Sequence, residues 1–174
     1  MKNLIFALGA PGVGKTATCT ELAKLLPNNI FLDADSLLNS TPFIYDTEMK
    51  KLFRDNLVHV LRNYLAHPAL ENIIHCWTIP KEEVLQSILA NLDLSSINLH
   101  IFALTCSPQA HQVRISLDPN PRRKDTSLGS STENLKLYKT LPIHEIDASA
   151  LTPQQSAKII SSHVNANGKP NPLT

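Results

Sequence analysis

The sequence predicts an α/β fold, a five-stranded parallel sheet with helices on both faces, and three observations predict it. Strand-like apolar runs alternate with helix-like amphipathic runs, and that alternation builds a parallel sheet covered on both sides. The glycine-rich stretch "GAPGVGKT", Gly9 to Thr16, stands between one such strand and one such helix. Acidic residues and the single tryptophan fall at strand ends, where open parallel sheets bind ligands.

The elements follow in order. Leu4, Ile5, Phe6 and Leu8 form a short buried-strand run. Leu22, Leu25 and Leu26 then recur at helical spacing, and Pro27 with Asn28 stops that helix. "NIFLDAD" reads as the second strand, ending in Asp33 and Asp35. From Thr47 to Ala66, Met49, Leu52, Phe53, Leu57, Val60, Leu61, Tyr64 and Leu65 mark a long amphipathic helix. "NIIHCW" is the third strand, and "PKEEVLQSILANL" is a helix with Pro80 in its first turn. "NLHIFALTC" is the fourth strand. "SPQAHQVRISL" opens a helix capped by Ser107 with Pro108 at its first position. "DPNPRRKDTSLGSS" is polar and rich in turn formers, so it reads as an exposed loop, followed by a short helix, "TENLKLYK". "IHEID" is the fifth strand, and "TPQQSAKIISSHVN" is a closing helix capped by Thr152. One domain over residues 1–166 and a flexible tail over 167–174 are expected.

The chemistry begins at the glycine-rich stretch, whose spacing is Gly-x-x-x-x-Gly-Lys-Thr. Gly9, Gly12 and Gly14 let the backbone turn tightly, so that the N–H groups of Gly9, Ala10, Pro11, Gly12, Val13, Gly14, Lys15, Thr16 and Ala17 (Pro11 excepted) can surround phosphates. Lys15 reaches the outer phosphates, and the Thr16 hydroxyl is placed to ligate Mg²⁺. The helix that follows adds its positive dipole end. A glycine-rich turn that binds nothing is the plainer alternative, but it explains neither the strand before the motif nor the helix after it.

Composition narrows the classes. The chain has 174 residues and a formal net charge of +1, which gives no bulk attraction to nucleic acid or a membrane. Cys19, Cys76 and Cys106 are scattered without metal spacing and read as reduced thiols of a cytoplasmic protein. The lysine followed by "LIFALGA" imitates a signal peptide, but the run is short and leads straight into the phosphate motif. No guanine-reading Asn-Lys-x-Asp run occurs, and the third strand ends "HCWTIP" without the carboxylate of a motor-type ATPase.

The phosphate loop, the strand-end "DAD" and the arginine-bearing loop after the fourth strand resemble shikimate-kinase-like and nucleoside-monophosphate-kinase-like P-loop small-molecule kinases. More narrowly, "LDADSLLNSTPF", "NLVHVLRNYL", "NIIHCWTIP", "LTCSP" and "EIDASALT" are similar to a group of small bacterial kinase-like ATPases. The resemblance covers roughly Met1 to His163. It implies a three-layer P-loop NTPase fold with strand order 2-3-1-4-5, ATP and Mg²⁺ as cofactors, and a mobile lid near residues 118–131. The lid departs from the spaced Arg-x-x-x-Arg pattern, because Arg122 and Arg123 are adjacent.

Phosphoryl transfer needs a donor cradle, a metal, a group that positions the acceptor and cations around the moving phosphoryl. Lys15 serves the first and Thr16 with Asp35 the metal. Asp33 and Asp35, two apart in a strand, should face one way, one near the metal and one accepting from a substrate hydroxyl. The alternative is a solvated pair capping the turn at Ser36. Arg122 and Arg123 suit a phosphate clamp, against the alternative of a solvated basic turn. Arg114, upstream, is a weaker candidate for the same role, since a helix-surface arginine is usually solvated, and the histidines, His111 among them, show no ligand spacing. Trp77 flanks the acceptor pocket or caps the core, and Phe43 and Tyr45 line the pocket or pack under their loop.

The function this implies is an ATP- and Mg²⁺-dependent phosphotransferase acting on a small-molecule acceptor through a hydroxyl or phosphate. An ATP-binding or ATP-hydrolysing regulatory protein without an acceptor, or an antibiotic or nucleotide phosphotransferase, remains open. No nucleic acid or membrane partner is implied, and neither the acceptor nor the oligomeric state is legible.

Overall fold

The computed structural model describes residues 1–79, 81–117 and 143–166. The expected lid near 118–131 with Arg122 and Arg123, the short helix after it, Pro80 and the tail over 167–174 lie outside the described residues.

β1 (Lys2–Gly9) pairs in parallel with both β3 (Asn72–Trp77) and β4 (Ile97–Thr105). β2 (Asn29–Asp33) pairs with β3, and β5 (His144–Asp147) pairs with β4, so the sheet order is β2-β3-β1-β4-β5. Strand alternation divides the central strand between two cores. Leu4, Phe6 and Leu8 of β1 pack with Phe53, Leu57 and Leu61 of α2 (Thr47–Ala66) and Leu85, Ile88 and Leu89 of α3 (Glu82–Leu89). Ile5 and Ala7 point to the other face, against Cys19 and Leu22 of α1 (Lys15–Leu25) and Ala157, Ile160 and Val164 of α5 (Pro153–Ala166). β3 and β4 are buried along their whole length, as strands covered on both faces must be.

Register is pinned at the amino end of the sheet. Asn3 lies opposite both Asn72 and Asn98, and its amide donates to Asn72 Oδ1 at 2.8 Å while its oxygen accepts from Asn98 Nδ2 at 3.2 Å. A slip of one residue would break both bonds and turn the apolar sets of β1 to the wrong cores.

The helix termini carry their own signals. Asp46 Oδ1 accepts from Met49 N–H at the start of α2. Thr152 and Gln155 form a reciprocal capping box at the start of α5. Ser107 Oγ accepts from Ala110 N–H at the start of α4 (Pro108–Leu117). Cys19, Cys76 and Cys106 are buried free thiols. A hydrogen bond with Cys76 and burial hold the Cys19 thiol well above its ordinary pKa, so it stays protonated.

One sequence expectation is corrected here. The second strand does not run through Asp35. It ends at Asp33, and Ala34–Leu37 form a 3-10 turn. Asp33 caps that turn, its Oδ1 accepting from Asp35 N–H at 3.2 Å. The side-chain competition that favours aspartate at caps outweighs strand continuation once β3, the only neighbour of β2 among the described residues, has paired through Asp33. The period-2 argument for a shared direction of Asp33 and Asp35 therefore fails, although both still reach one cleft.

Candidate functional site

The site is built at the carboxyl ends of the strands. β1 ends at Gly9, and the loop from Ala10 to Gly14 leads into α1. Two glycines are required by geometry. A Cβ on Gly9 would lie 2.6 Å from Leu104 O and 2.8 Å from Val13 Cγ2, and a Cβ on Gly12 would lie 2.4 Å from Ile115 Cδ1. Gly12 and Gly14 also hold φ of 81° and 102°, in the left-handed region. Gly14 is the N-cap of α1 and offers no side chain to cap that helix start. Backbone N–H groups in such a turn are the usual ligands of a phosphate.

Lys15 Nζ donates to Ala10 O and to Thr78 Oγ1, both at 3.0 Å, so the lysine spans the loop and the end of β3. Thr16 Oγ1 donates to Asp33 Oδ2 at 2.7 Å. Asp33, rather than Asp35, is thus the carboxylate on the threonine of the motif. The two oxygens of this pair are hard donors of the type Mg²⁺ takes, alongside phosphate oxygens. The cradle and the threonine–carboxylate pair fit a magnesium-bound triphosphate.

Behind the loop stands α4, whose part sequence reasoning missed. His111 Nε2 donates to Pro11 O at 2.7 Å, and Arg114 Nη1 donates to Val13 O at 2.9 Å. Arg114 Nη2 also donates to Ala148 O, at 2.5 Å, just past β5. Arg114 is therefore not a solvated helix-surface arginine, because burial against carbonyl oxygens uses the several donors of its fork. The signal was present in the sequence. His111, Arg114 and Ile115 stand at i, i+3 and i+4 on one helix face, so whatever one of them touches the others approach.

Together these elements enclose a cleft of about 910 Å³. Its floor is the loop with Lys15 and Thr16. One wall carries Arg114, Ala148, Leu151 and Pro153, and the other carries Asp33, Asp35, Leu38, Phe43, Trp77 and Thr78. Trp77 lines the cleft, is 9% exposed and packs on Phe53 with ring centroids 4.8 Å apart. Phe43 lines the cleft and stacks on Tyr45. His75, inside β3, is fully buried, and burial lowers its pKa from 6.5 to about 4.

A profile described as AAA domain matches residues 5–136, most of the chain, including the phosphate loop and the strand-end carboxylates. The chain belongs to the AAA domain family. No curated protein matches it. Among solved structures, this AAA-domain chain is similar to the tunicamycin resistance protein of Deinococcus radiodurans, at 21% identity and TM-score 0.66, covering 94% of this chain and 96% of that one. It is similar to a sugar kinase from a Janibacter species at 14% identity and TM-score 0.71, with 95% of each chain covered. It is also similar to the shikimate kinase of Aquifex aeolicus at 19% identity and TM-score 0.60, over 95% of this chain and 99% of that one. These likenesses extend over nearly whole chains, so the AAA-domain chain has the P-loop kinase-like fold, with the expected sheet order. Among the described residues no helix is long and apolar enough to cross a membrane.

Proposed function

We propose that the protein is an ATP- and Mg²⁺-dependent phosphotransferase that moves the γ-phosphoryl group to a hydroxyl of a small-molecule acceptor. The observation that carries the reading is the convergence, in one cleft, of a phosphate cradle, the Thr16–Asp33 pair and a second carboxylate, Asp35. A hydrolase needs room only for water beyond the cradle. Here the far wall is a second half-pocket built from Leu38, Phe43 and Trp77. The kinase names of the solved structures with this fold support the same reading.

The residues divide the work by position. Backbone N–H groups of the loop and the start of α1 orient the phosphates. Lys15 balances the charge of the outer phosphates, and its bonds to Ala10 O and Thr78 Oγ1 are the contacts it exchanges for them. Thr16 and Asp33 would hold Mg²⁺, which would supply positive charge against the phosphate oxygens. Asp35 accepts the acceptor's hydroxyl proton as its oxygen bonds to phosphorus and the bond to the leaving ADP oxygen breaks. This division gives Asp33 the metal-side role that the sequence alone assigned to Asp35. Arg114, Ala148, Leu151 and Pro153 form the wall for the nucleoside end of the donor. On sequence alone, Arg122 and Arg123 are the cations that meet the moving phosphoryl.

A second reading is favoured by the tunicamycin resistance protein that shares the fold, namely that the acceptor is an antibiotic. Drug challenge of a host with and without the gene separates the two. The test common to both is Lys15→Ala, which should remove Mg-ATP binding or ADP release with the fold intact by circular dichroism. Wild-type ATP affinity and ADP release in that variant would contradict the proposal.

A further inference from the structure

We infer that the acceptor is an uncharged alcohol with an apolar ring face, rather than an acid or a phosphate ester. The inference rests on the phosphotransferase reading and names the substrate class for its acceptor half-pocket.

The apolar side of that half-pocket is Leu38, Phe43 and Trp77. Trp77 is fixed, held against Phe53 at 4.8 Å between centroids within the core under α2, and its small exposed part lines the half-pocket. Phe43 is half exposed, and its ring lies nearly parallel to Tyr45, with centroids 6.2 Å apart and planes 15° apart. Lys50 Nζ sits over the Tyr45 ring, 4.7 Å from its centre, a cation–π contact that holds Tyr45. Rings presented in this way take the face of another ring and gain nothing from a charged group.

The polar side points to the same class. Asp33, Asp35 and Asn39 line it. With Asp33 committed to the metal, the Asp35 carboxylate accepts from a hydroxyl and repels an acceptor that carries its own carboxylate or phosphate. The cations that line the cleft among the described residues serve its other parts. Lys15 stands on the loop floor, and Arg114 is bonded to Val13 O and Ala148 O on the opposite wall. A hydroxyl-bearing ring therefore satisfies both sides of the half-pocket, with its apolar face on Trp77 and Phe43 and a hydroxyl on a carboxylate.

The test uses matched pairs with the full-length protein and Mg-ATP: methyl shikimate and shikimate, uridine and uridine 5′-monophosphate, phenyl glucoside and phenyl glucuronide. ADP release is read above the Lys15→Ala blank, and Trp77 emission is read with a non-hydrolysable ATP analogue. The expected result is that an uncharged member raises ADP release and shifts Trp77 emission, with kcat/KM at least about tenfold above its anionic partner. Phe43→Ala should then raise KM for that acceptor about tenfold while leaving KM for Mg-ATP unchanged. Preference for the anionic member, equal use of both, or an unmoved acceptor KM in Phe43→Ala overturns the inference and leaves the phosphotransferase reading standing. ADP release unaffected by every member, with ATP bound normally, overturns that reading and the inference with it.

Discussion

Asp33 and Asp35 differ in kind, although two positions separate them. Asp33 is tied on both oxygens, to Thr16 Oγ1 and to Asp35 N–H, and its own carbonyl accepts from Ser36 Oγ. It thus both caps the turn and lines the cleft. Asp33→Ala should lower the melting temperature as well as turnover, since losing a cap costs about 1 kcal/mol. Asp35→Asn should leave melting nearly unchanged and lower turnover by about 10²–10⁴, the usual worth of a positioned proton acceptor. Thermal melts and ADP-release rates on both variants check this, and normal activity in Asp35→Asn would return it to a capping role. Gly12 gives a second test at this scale. Gly12→Ala drives a Cβ to 2.4 Å from Ile115 Cδ1 at a φ that disfavours any side chain. Nucleotide affinity should fall more than about tenfold. Gly12→Ala/Ile115→Ala should recover part of it by removing the clash, while the strain of about 1–2 kcal/mol remains. Isothermal titration with a Mg-ATP analogue measures both.

At the scale of elements, α4 is the backing of the phosphate loop. His111, Arg114 and Ile115 reach it from one helix face, and Arg114 joins it to the end of β5. His111→Ala should weaken Mg-ATP binding about tenfold, the equivalent of one buried hydrogen bond at the upper end of its range. His111→Gln, which keeps an N–H donor, should restore most of it. Arg114→Ala loses bonds from a charged donor and should cost more, about 1.5–3 kcal/mol in binding and stability together. Equal affinities in wild type, His111→Ala and His111→Gln would reduce the helix to packing. Elements are also the scale at which the sequence was most readable. The long helix was legible over Thr47–Ala66 because its apolar stripe persists through five turns, and β3 because "NIIHCW" has no helical period. The end of β2 was not legible, because "LDAD" alternates as a strand does while its first aspartate caps a turn, and a single sequence does not show which tendency wins. In the site, the cradle residues announced themselves by glycine spacing. His111 did not, because its partner is a backbone carbonyl far away in sequence.

At the scale of the whole molecule, His75 of β3 and His100 of β4 are buried and held neutral. Burial lowers His75 to about 4. Burial, then the neighbouring His163 and His144, lower His100 to about 4. Both folded-state values lie below the ordinary 6.5, so the unfolded chain binds protons that the folded chain refuses. Stability from this source is complete above about pH 6.5 and is lost as pH falls towards 4. Each histidine contributes up to about 1.4 kcal/mol per pH unit within that window. Urea unfolding from pH 7 to 4.5 should show the slope, and His75→Phe should reduce it. A flat profile would mean that neither ring is held neutral by the fold. His75 Nε2 has no hydrogen-bond partner among the described residues, which fits a ring kept for its shape against Phe6.

The central claim, that this cleft joins a phosphoryl donor to a small alcohol, is tested most directly by following the γ-phosphoryl itself. The protein is incubated with Mg-ATP labelled in the γ-phosphate and a pool of uncharged alcohols, and the label is traced by mass spectrometry. The account predicts label in an organic phosphate monoester, in an amount that equals the ADP formed and disappears in Lys15→Ala. Label found only in inorganic phosphate, at a rate indifferent to the alcohols, would contradict it.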